Sequence, residues 1–248
     1  MNNMELVHEL LGYKHIKIIQ NSEMFSFSGD SMLLAYFVSC TKKTNKIIDL
    51  GCGNAPIPLF LTMKTKAKII GVDIQKDICE MAARSVEVNN FQDQIEIINA
   101  DIKDIYKKVG TNCFDIVTCN PPYFKYLETS NINKNDYLTI ARHEVLITLE
   151  DIISEAKKLL NDRGSLYLVH RVERFSEIIY LLNKYKFEAK RVRFMYPKTD
   201  SKEALLVLIE ARNNANSGLK ILPPFYMYDE KGNYTKEALD MFNYKEKN

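Results

Sequence analysis

Short apolar runs alternate with helix-like patterns along most of the chain. Four runs predict buried strands, at residues 46–50, 68–73, 94–99 and 114–119. Apolar positions recur every three or four residues over 75–88 and 148–160, which is typical of amphipathic helices. Thr148 and Asp151 predict a capping box at the start of the second helix, and Gly164 lies just beyond its end.

Three further strand-like segments follow, at residues 164–170, 186–195 and 204–210. Alternation of helices with continuously apolar strands is typical of a parallel sheet that has helices on both faces. The last three segments are less regular, and we expect them to pair antiparallel at one edge. We therefore predict an α/β fold that is Rossmann-like and doubly wound, with a mostly parallel seven-stranded sheet.

The first 45 residues predict a helix, a short hairpin over 15–27 and a second helix over 30–40. No fixed-period repeat and no Pro-, Gly- or Ser-rich linker divides the chain. We therefore predict one domain over residues 1–248. Its parts are an N-terminal cap (1–45), a Rossmann-like core (46–211) and a C-terminal tail (212–248).

The composition matches an ordinary globular protein, with 46% hydrophobic and 27% charged residues in 248. The longest apolar stretch, 33–40, is too short for a membrane helix, and no signal peptide is visible, so we expect a cytoplasmic protein without a membrane partner. The five cysteines are never spaced C-x-x-C and the histidines lack ligand spacing, so we expect no metal. The net charge of +2 neither requires nor forbids a nucleic-acid partner.

A glycine loop follows the first buried strand, in the segment Asp49-Leu-Gly-Cys-Gly-Asn-Ala-Pro. Glycines let the backbone turn tightly and approach a ligand at a helix N-terminus. Asp49 precedes the loop, and its carboxylate suits the cationic amino-acid end of a cofactor and would repel a pyrophosphate. The third glycine of a dinucleotide fingerprint is missing, and a plain strand-to-helix turn is the alternative interpretation. The candidate cofactor residues of this loop are Asp49, Gly51, Cys52, Gly53 and Asn54.

Acidic residues also end the next two strands. Asp73, followed by Ile74, lies about twenty positions beyond the glycine loop, where a carboxylate accepts hydrogen bonds from ribose hydroxyls. Asp101, followed by Ile102, is placed to receive the exocyclic amino group of an adenine. Each aspartate could instead cap the helix that follows it.

The fourth strand ends in Asn120-Pro121-Pro122-Tyr123, which we assign as the catalytic segment. The prolines restrict the backbone and remove its amide hydrogens, so the Asn120 side chain and the Pro121 carbonyl converge as acceptors. Tyr123 offers a flat face on which a planar group stacks. This pattern favours binding of an NH₂ group on a conjugated system, with its nitrogen directed at an electrophile. We also count Asn120 among the cofactor contacts. A simple proline turn is the alternative.

These motifs, in the order DLGCGNAP, GVDI, NADI and NPPYF, resemble the class I S-adenosylmethionine-dependent methyltransferases of the amino-group branch. Segments outside the core are similar to the bacterial tRNA1(Val) (adenine-N6)-methyltransferases: residues 25–35, IARHE at 140–144, KEA at 202–204 and LPPFY at 222–226. The lysine-rich tail departs from that pattern, and no separate RNA-binding domain is evident. The resemblance implies S-adenosylmethionine as the cofactor and adds Phe27, Ser28 and Asp30 to its contacts.

The resemblance also implies a tRNA substrate, bound by its anticodon stem-loop and methylated at N6 of the adenine next to the anticodon of tRNA-Val. A basic stretch over 184–202 is a candidate phosphate track, with a merely solvated edge as the alternative. We expect no obligate protein partner. The predicted RNA-binding residues are Tyr123, Phe124, Arg142, His143, Lys190, Arg191, Arg193, Lys198 and Lys202.

Three other functions remain open at this stage. A glutamine side-chain amide presents a similar planar NH₂, so a protein glutamine methyltransferase would use the same segment. A DNA adenine methyltransferase is a further alternative, although no DNA-recognition domain is evident. A cofactor-binding RNA assembly factor without turnover is the alternative from outside the enzymes, but a pure binder has no need of converging acceptors at Asn120.

Overall fold

A central sheet organises the protein, which we describe from a computed structural model over residues 5–21, 29–123 and 146–242. A separate hairpin consists of β1 (Glu5–Leu10) and β2 (Tyr13–Asn21). The central sheet contains β3 (Lys46–Leu50), β4 (Lys68–Asp73), β5 (Ile95–Asn99), β6 (Phe114–Cys119), β7 (Leu160–Arg171), β8 (Phe187–Lys198), β9 (Leu206–Asn213), β10 (Lys220–Ile221) and β11 (Phe225–Tyr228). The helices are α1 (Gly29–Phe37), α2 (Pro56–Leu61), α3 (Lys76–Val88), α4 (Tyr106–Val109), α5 (Leu149–Leu159), α6 (Phe175–Lys184) and α7 (Lys236–Phe242).

The strand order is β10-β8-β9-β7-β6-β3-β4-β5, and β11 also pairs with β8. Strands β3 to β7 run parallel, whereas β9 is antiparallel to both of its neighbours, β7 and β8. From β3 the chain first builds outward through β4 and β5, and it then returns to add β6 on the other side of β3. Open α/β sheets bind their ligands at such a switch point, at the carboxyl ends of the strands.

Both faces of the sheet carry apolar cores, because successive strand residues direct their side chains to opposite faces. In β3, for example, Ile47 belongs to the cluster that contains residues of α1 and α2, and Ile48 belongs to the cluster of α5 and α6. The same alternation separates Leu206 from Val207 in β9. The predicted α/β, doubly wound fold with helices on both faces and an antiparallel edge is therefore confirmed.

Three local predictions need correction. The segment predicted as an N-terminal helix is strand β1, so the hairpin spans 5–21 instead of 15–27. Its turn is closed by Leu11, whose φ of 54° lies in the left-handed region. The sheet has nine strands among the described residues, not seven, because two short strands of the predicted tail add to the outer edge of β8. The buried side chain of Phe225 holds this addition in place.

Elements with strong local signals match their predictions closely. Helix α3 covers Lys76–Val88, one residue shorter than predicted. At α5, Thr148 Oγ1 accepts from the Asp151 amide at 3.2 Å, and Asp151 Oδ2 accepts from the Thr148 amide at 3.0 Å, so the capping box is confirmed. The predicted division into cap, core and tail stays a prediction. No helix in the described ranges is long and apolar enough to span a bilayer.

Candidate active site

The glycine loop between β3 and α2 is tied to the end of β4. The amides of Gly51 and Cys52 both donate to the Val72 carbonyl, at 2.8 and 2.9 Å. Gly51 and Gly53 have φ values of 74° and 54°, a left-handed conformation that side chains disfavour. The Gly53 amide donates to Asp73 Oδ2 at 3.0 Å, so the two strand ends form one unit.

Asp73 anchors this unit from the end of β4. Its other carboxylate oxygen, Oδ1, accepts from the Gln75 amide at 3.0 Å. Burial raises the pKa of Asp73, while the donated hydrogen bonds of Gln75 and Gly53 act in the opposite direction. Each carboxylate oxygen keeps a further lone pair, so acceptance from ribose hydroxyls is compatible with these bonds and stays a prediction.

Asp49, at the end of β3, is a fully buried carboxylate with one free oxygen. Thr118 on β6 donates to its Oδ1 at 2.6 Å, whereas Oδ2 has no hydrogen-bond partner. Burial raises the pKa of Asp49, the Thr118 hydrogen bond lowers it and the charge of Asp73 raises it, with a net value of about 7. A buried oxygen without a partner is costly, and a cationic ligand group at this position would satisfy it.

Two other loop side chains face the protein interior. Asn54 Nδ2 donates to the Ile19 carbonyl at 2.9 Å and thereby fastens strand β2 to the loop. Cys52 is buried, which raises the pKa of its thiol well above the ordinary value. A Cβ at Gly71 would lie 2.9 Å from its sulfur, so Cys52 fills space that a larger residue on β4 would need. Cofactor contacts of these two residues stay predictions.

The predicted adenine end of the site lies beyond β4 and β5. Ile74 lies immediately after β4 and has 39% of its surface exposed. The isoleucines within β4 are buried or half-buried. Asp101 is exposed, and its Oδ1 accepts from the Lys103 amide at 2.8 Å in a short turn. Ile102, in contrast, is buried. The structure therefore brings Asp73, Ile74 and the Asp101 turn to neighbouring strand ends, as predicted from their spacing.

The catalytic segment follows β6 and is held by the first turn of α1. Asn120 Nδ2 donates to Ser31 Oγ at 3.0 Å, while Asn120 Oδ1 is buried without a partner. The Tyr123 hydroxyl donates to Asp30 Oδ2 at 2.8 Å. Asp30, which was predicted to contact the cofactor, is thus a hydrogen-bond partner of Tyr123. Ser31, the partner of Asn120, was not among the predicted site residues.

The Tyr123 ring packs against His170, the penultimate residue of β7, with ring centroids 5.2 Å apart. Burial and the nearby Asp30 carboxylate raise the pKa of Tyr123 well above its ordinary value, so its hydroxyl stays protonated and donates. His170 Nδ1 accepts from the Arg171 amide at 2.8 Å. No motif in the sequence indicated a role for His170.

Among the described residues, four buried side-chain polar atoms have no hydrogen-bond partner: Asp49 Oδ2, Gln75 Oε1, Asn120 Oδ1 and His170 Nε2. All four lie at or just beyond the carboxyl ends of strands, namely β3, β4, β6 and β7. Native proteins satisfy most buried polar groups, and unsatisfied ones need an explanation. Their concentration at one edge indicates a site in which ligands complete the hydrogen bonding. Sequence reasoning missed Gln75, which is the N-cap residue of α3 although its side chain makes no capping hydrogen bond.

Two arginines of the basic stretch are occupied within the protein. Arg191 forms an ion pair with Glu210, which is 2% exposed, and donates to Ser39 Oγ at 3.0 Å. Arg193 makes two bonds of 2.7 Å to Glu237 on α7. Strand alternation does place both arginines on one face of β8, but α1 and α7 cover that face. This corrects the expectation that they line a phosphate-facing edge.

The lysines of the stretch differ from the arginines. Lys190 Nζ donates to the Asn216 carbonyl at 3.1 Å. Lys190 lies in the first half of β8, away from the carboxyl edge of the sheet. Lys198 and Lys202 are exposed. Met195 and Arg171 both pair with Leu206, so the end of β8 lies level with the end of β7. Lys198 and Lys202 therefore lie at the same edge as Asn120 and stay predicted RNA contacts.

Some predicted site residues lie outside the described residues: Phe27, Ser28, Phe124, Arg142 and His143. In the described ranges, no group of three or more His, Cys, Asp or Glu side chains is arranged to hold a metal ion.

The doubly wound sheet, the glycine loop and the Asn-Pro-Pro-Tyr segment define a methyltransferase. Residues 15–193 match the family model described as methyltransferase small domain, and the chain belongs to that family. S-adenosylmethionine is the cofactor. The predictions of a methyltransferase and of its cofactor are thus confirmed.

Individual relatives extend this comparison. Two similar proteins are described as tRNA1(Val) (adenine(37)-N6)-methyltransferase. The one from Cytophaga hutchinsonii is 25% identical over 74% of this chain and 76% of its own length. The one from Flavobacterium psychrophilum is 22% identical over 93% of this chain and 96% of its own length. A solved structure, a predicted O-methyltransferase named protein Atu636 from Agrobacterium tumefaciens, superposes with a TM-score of 0.69 at 24% identity, covering 86% of this chain and 95% of that one. The latter similarity shows the shared fold.

Proposed function

We propose that this protein methylates the exocyclic N6 amine of an adenine in tRNA, at the position immediately 3′ of the anticodon of tRNA-Val. The observation that carries the proposal is the buried Asn120 Oδ1, an acceptor without a partner at the carboxyl edge of the sheet. The family supports methyl transfer, and the names of the relatives support the tRNA substrate. The anticodon position rests on those names alone.

The residues of the cofactor side fit S-adenosylmethionine. Asp49 Oδ2 is a buried acceptor suited to the ammonium of the amino-acid end, and Asp73 retains acceptor capacity for hydroxyl groups. The exposed Ile74 offers an apolar surface for the adenine ring. When bound, the cofactor supplies an electrophilic methyl group on a positively charged sulfur.

The catalytic segment would activate the amine by orienting it. An exocyclic amine is a weak nucleophile because its lone pair is delocalised into the ring. Ser31 accepts from the Asn120 NH₂ group at 3.0 Å, which fixes the amide so that Oδ1 remains the acceptor for the substrate. Acceptors at Asn120 Oδ1 and the Pro121 carbonyl would favour a pyramidal nitrogen, so that its lone pair points at the methyl group. The proton leaves to water after transfer, and no strong base is required.

The target base must leave its stack to reach this segment, which costs less in a loop than in a duplex. Stacking on Tyr123 would offset part of that cost, by about 1–3 kcal/mol for one base. The hydrogen bond from Tyr123 to Asp30 holds the ring near the site, and Lys198 and Lys202 are available to phosphates at the same edge.

The test is methyl transfer from tritiated S-adenosylmethionine to unmodified tRNA, duplex DNA and a release-factor protein in parallel. We expect label in tRNA at the adenine next to the anticodon, and little in DNA or protein. Asn120→Ala should abolish transfer and leave the affinity for S-adenosylhomocysteine nearly intact, because the lost acceptor acts mainly in the chemical step. Asn45→Ala, at the amino end of β3, is the matched control and should transfer normally. Label in the release factor but not in tRNA would overturn the proposed substrate.

A further inference from the structure

The proposed function supplies no ligand partner for His170, an unsatisfied polar group of the described site at the end of β7. Asp49 and Gln75 lie at the ends of β3 and β4, on the proposed cofactor side, and Asn120 is the proposed acceptor for the target amine. These three expose acceptor oxygens, whereas His170 exposes a ring nitrogen. A ligand that completes the site must therefore present one further polar atom near the end of β7.

The hydrogen bonding of His170 defines this nitrogen as a donor. Nδ1 accepts from the Arg171 amide at 2.8 Å, so in the neutral ring the proton is on Nε2. Burial and the nearby charge of Arg174 lower the pKa of His170 to about 4, although Glu177 and Glu173 act in the opposite direction. At neutral pH the imidazole is uncharged, and Nε2–H is a buried donor without an acceptor.

The position of His170 places this donor on the substrate side. Strands β6 and β7 are neighbours with Cys119 opposite Leu168, so Asn120 and His170 extend one and two residues beyond a shared register point. Both residues therefore lie at the carboxyl ends of neighbouring parallel strands. The Tyr123 ring, 5.2 Å from the imidazole, covers His170 in the structure. Contact between a base and Nε2 would therefore require the Tyr123 ring to shift.

We propose that His170 Nε2–H donates to N1 of the target adenine, the ring nitrogen next to the amine that Asn120 binds. This inference rests on the proposed function and deepens it. Together the two residues would recognise the donor and acceptor pair on the Watson–Crick edge of adenine. Guanine presents a carbonyl and an N–H at these positions, so it would leave both protein groups without partners. His170 is thus assigned as a specificity-determining residue.

A double-mutant cycle between the protein and the base tests this contact. Anticodon stem-loop RNAs carry adenosine, 1-deazaadenosine or 7-deazaadenosine at the target position, and the enzymes are wild type and His170→Phe. Removing N1 should lower kcat/KM of the wild type at least about tenfold through the lost hydrogen bond, and it should have a clearly smaller effect on His170→Phe. Effects of the substitution on amine reactivity are common to both enzymes and cancel. The 7-deaza RNA is the matched control and should affect both enzymes equally.

Equal losses on the 1-deaza RNA in both enzymes would overturn the proposal, and coupling to the 7-deaza RNA instead would overturn the assignment to N1. His170→Gln, which retains an N–H donor, should recover part of the activity, and His170→Leu, which lacks the donor, replaces His170→Phe in the cycle if that variant does not fold. If the wild type methylates no RNA, the proposed function fails separately. The cycle is then measured as affinity for free adenosine and 1-deazaadenosine with S-adenosylhomocysteine bound, where equal affinities overturn the contact with N1.

Discussion

Acidification should weaken cofactor binding by protonating the buried carboxylate of Asp49. Its pKa is raised to about 7 by burial, so lowering the pH from 8 to 6 converts it from mostly ionised to mostly protonated. The ammonium of the cofactor requires the carboxylate, because a protonated acid offers no negative charge and only a weaker acceptor. Ligand binding lowers the pKa of Asp49, so the complex holds fewer protons than the free protein, and affinity falls as the pH falls through 7.

The magnitude follows from the ionised fraction. With a pKa of about 7, that fraction is about 0.9 at pH 8 and about 0.1 at pH 6, so the affinity should fall about tenfold, or about 1.4 kcal/mol. Near pH 7, binding should release about half a proton per ligand. Titration calorimetry with S-adenosylhomocysteine, in buffers of different ionisation enthalpy, measures the affinity and the proton count together.

Asp49→Asn provides the control for this prediction. The amide keeps the size of the side chain and an acceptor oxygen but does not titrate between pH 6 and 8. At pH 8 the variant should bind S-adenosylhomocysteine more weakly than the wild type does, and its affinity should be nearly independent of pH. A wild-type affinity that is equal at pH 6 and pH 8, or a variant with the same pH dependence as the wild type, would refute the placement of the ammonium at Asp49.

Three further predictions concern other parts of the site. Ser31→Ala should lower kcat about tenfold with unchanged affinity for S-adenosylhomocysteine, because the released amide of the catalytic asparagine can flip; equal losses in both quantities would contradict this role. Arg191→Met should lower the free energy of unfolding in urea by about 2 kcal/mol, because the buried Glu210 carboxylate loses this ion pair but keeps Arg212 as a partner, and RNA affinity should not change. Substituting Glu for Lys198 and Lys202 should raise KM for tRNA and reduce the salt dependence of binding. Lys43→Glu, at an exposed position before β3, should leave both quantities unchanged. Equal effects of the two changes would contradict an RNA contact at the carboxyl edge of the sheet.

Local patterns predicted much of this protein correctly. Helices α3 and α5 and strands β3 to β6 follow from hydrophobic periodicity within each segment, and the capping box of α5 depends on residues only three positions apart. The carboxyl-edge placement of Asp49, Asp73 and Asn120 was also predictable, since each ends a parallel strand. In these cases the determining interactions are short in sequence or follow from general sheet topology.

Other features depended on partners that lie far away in sequence. Strand β1 forms because β2 offers an edge for pairing, and β11 forms because β8 does. Arg191 and Arg193 look like a basic face in the sequence. Their partners, Glu210 and Glu237, lie 19 and 44 positions away, so only the packed structure shows that these charges are internal.

The sequence by itself determined the class of fold, the positions along the chain of the strands that carry the site, and the chemical character of the residues at their ends. Only the tertiary structure determined how those ends are held and which groups await a ligand. Ser31 meets Asn120 across 89 positions and Thr118 meets Asp49 across 69, and neither pair shares a motif. His170 lacks any sequence signal, because a donor becomes significant only when burial removes water and leaves it unpaired. Burial is a property of the assembled sheet and its covering helices, and no local stretch of residues contains it.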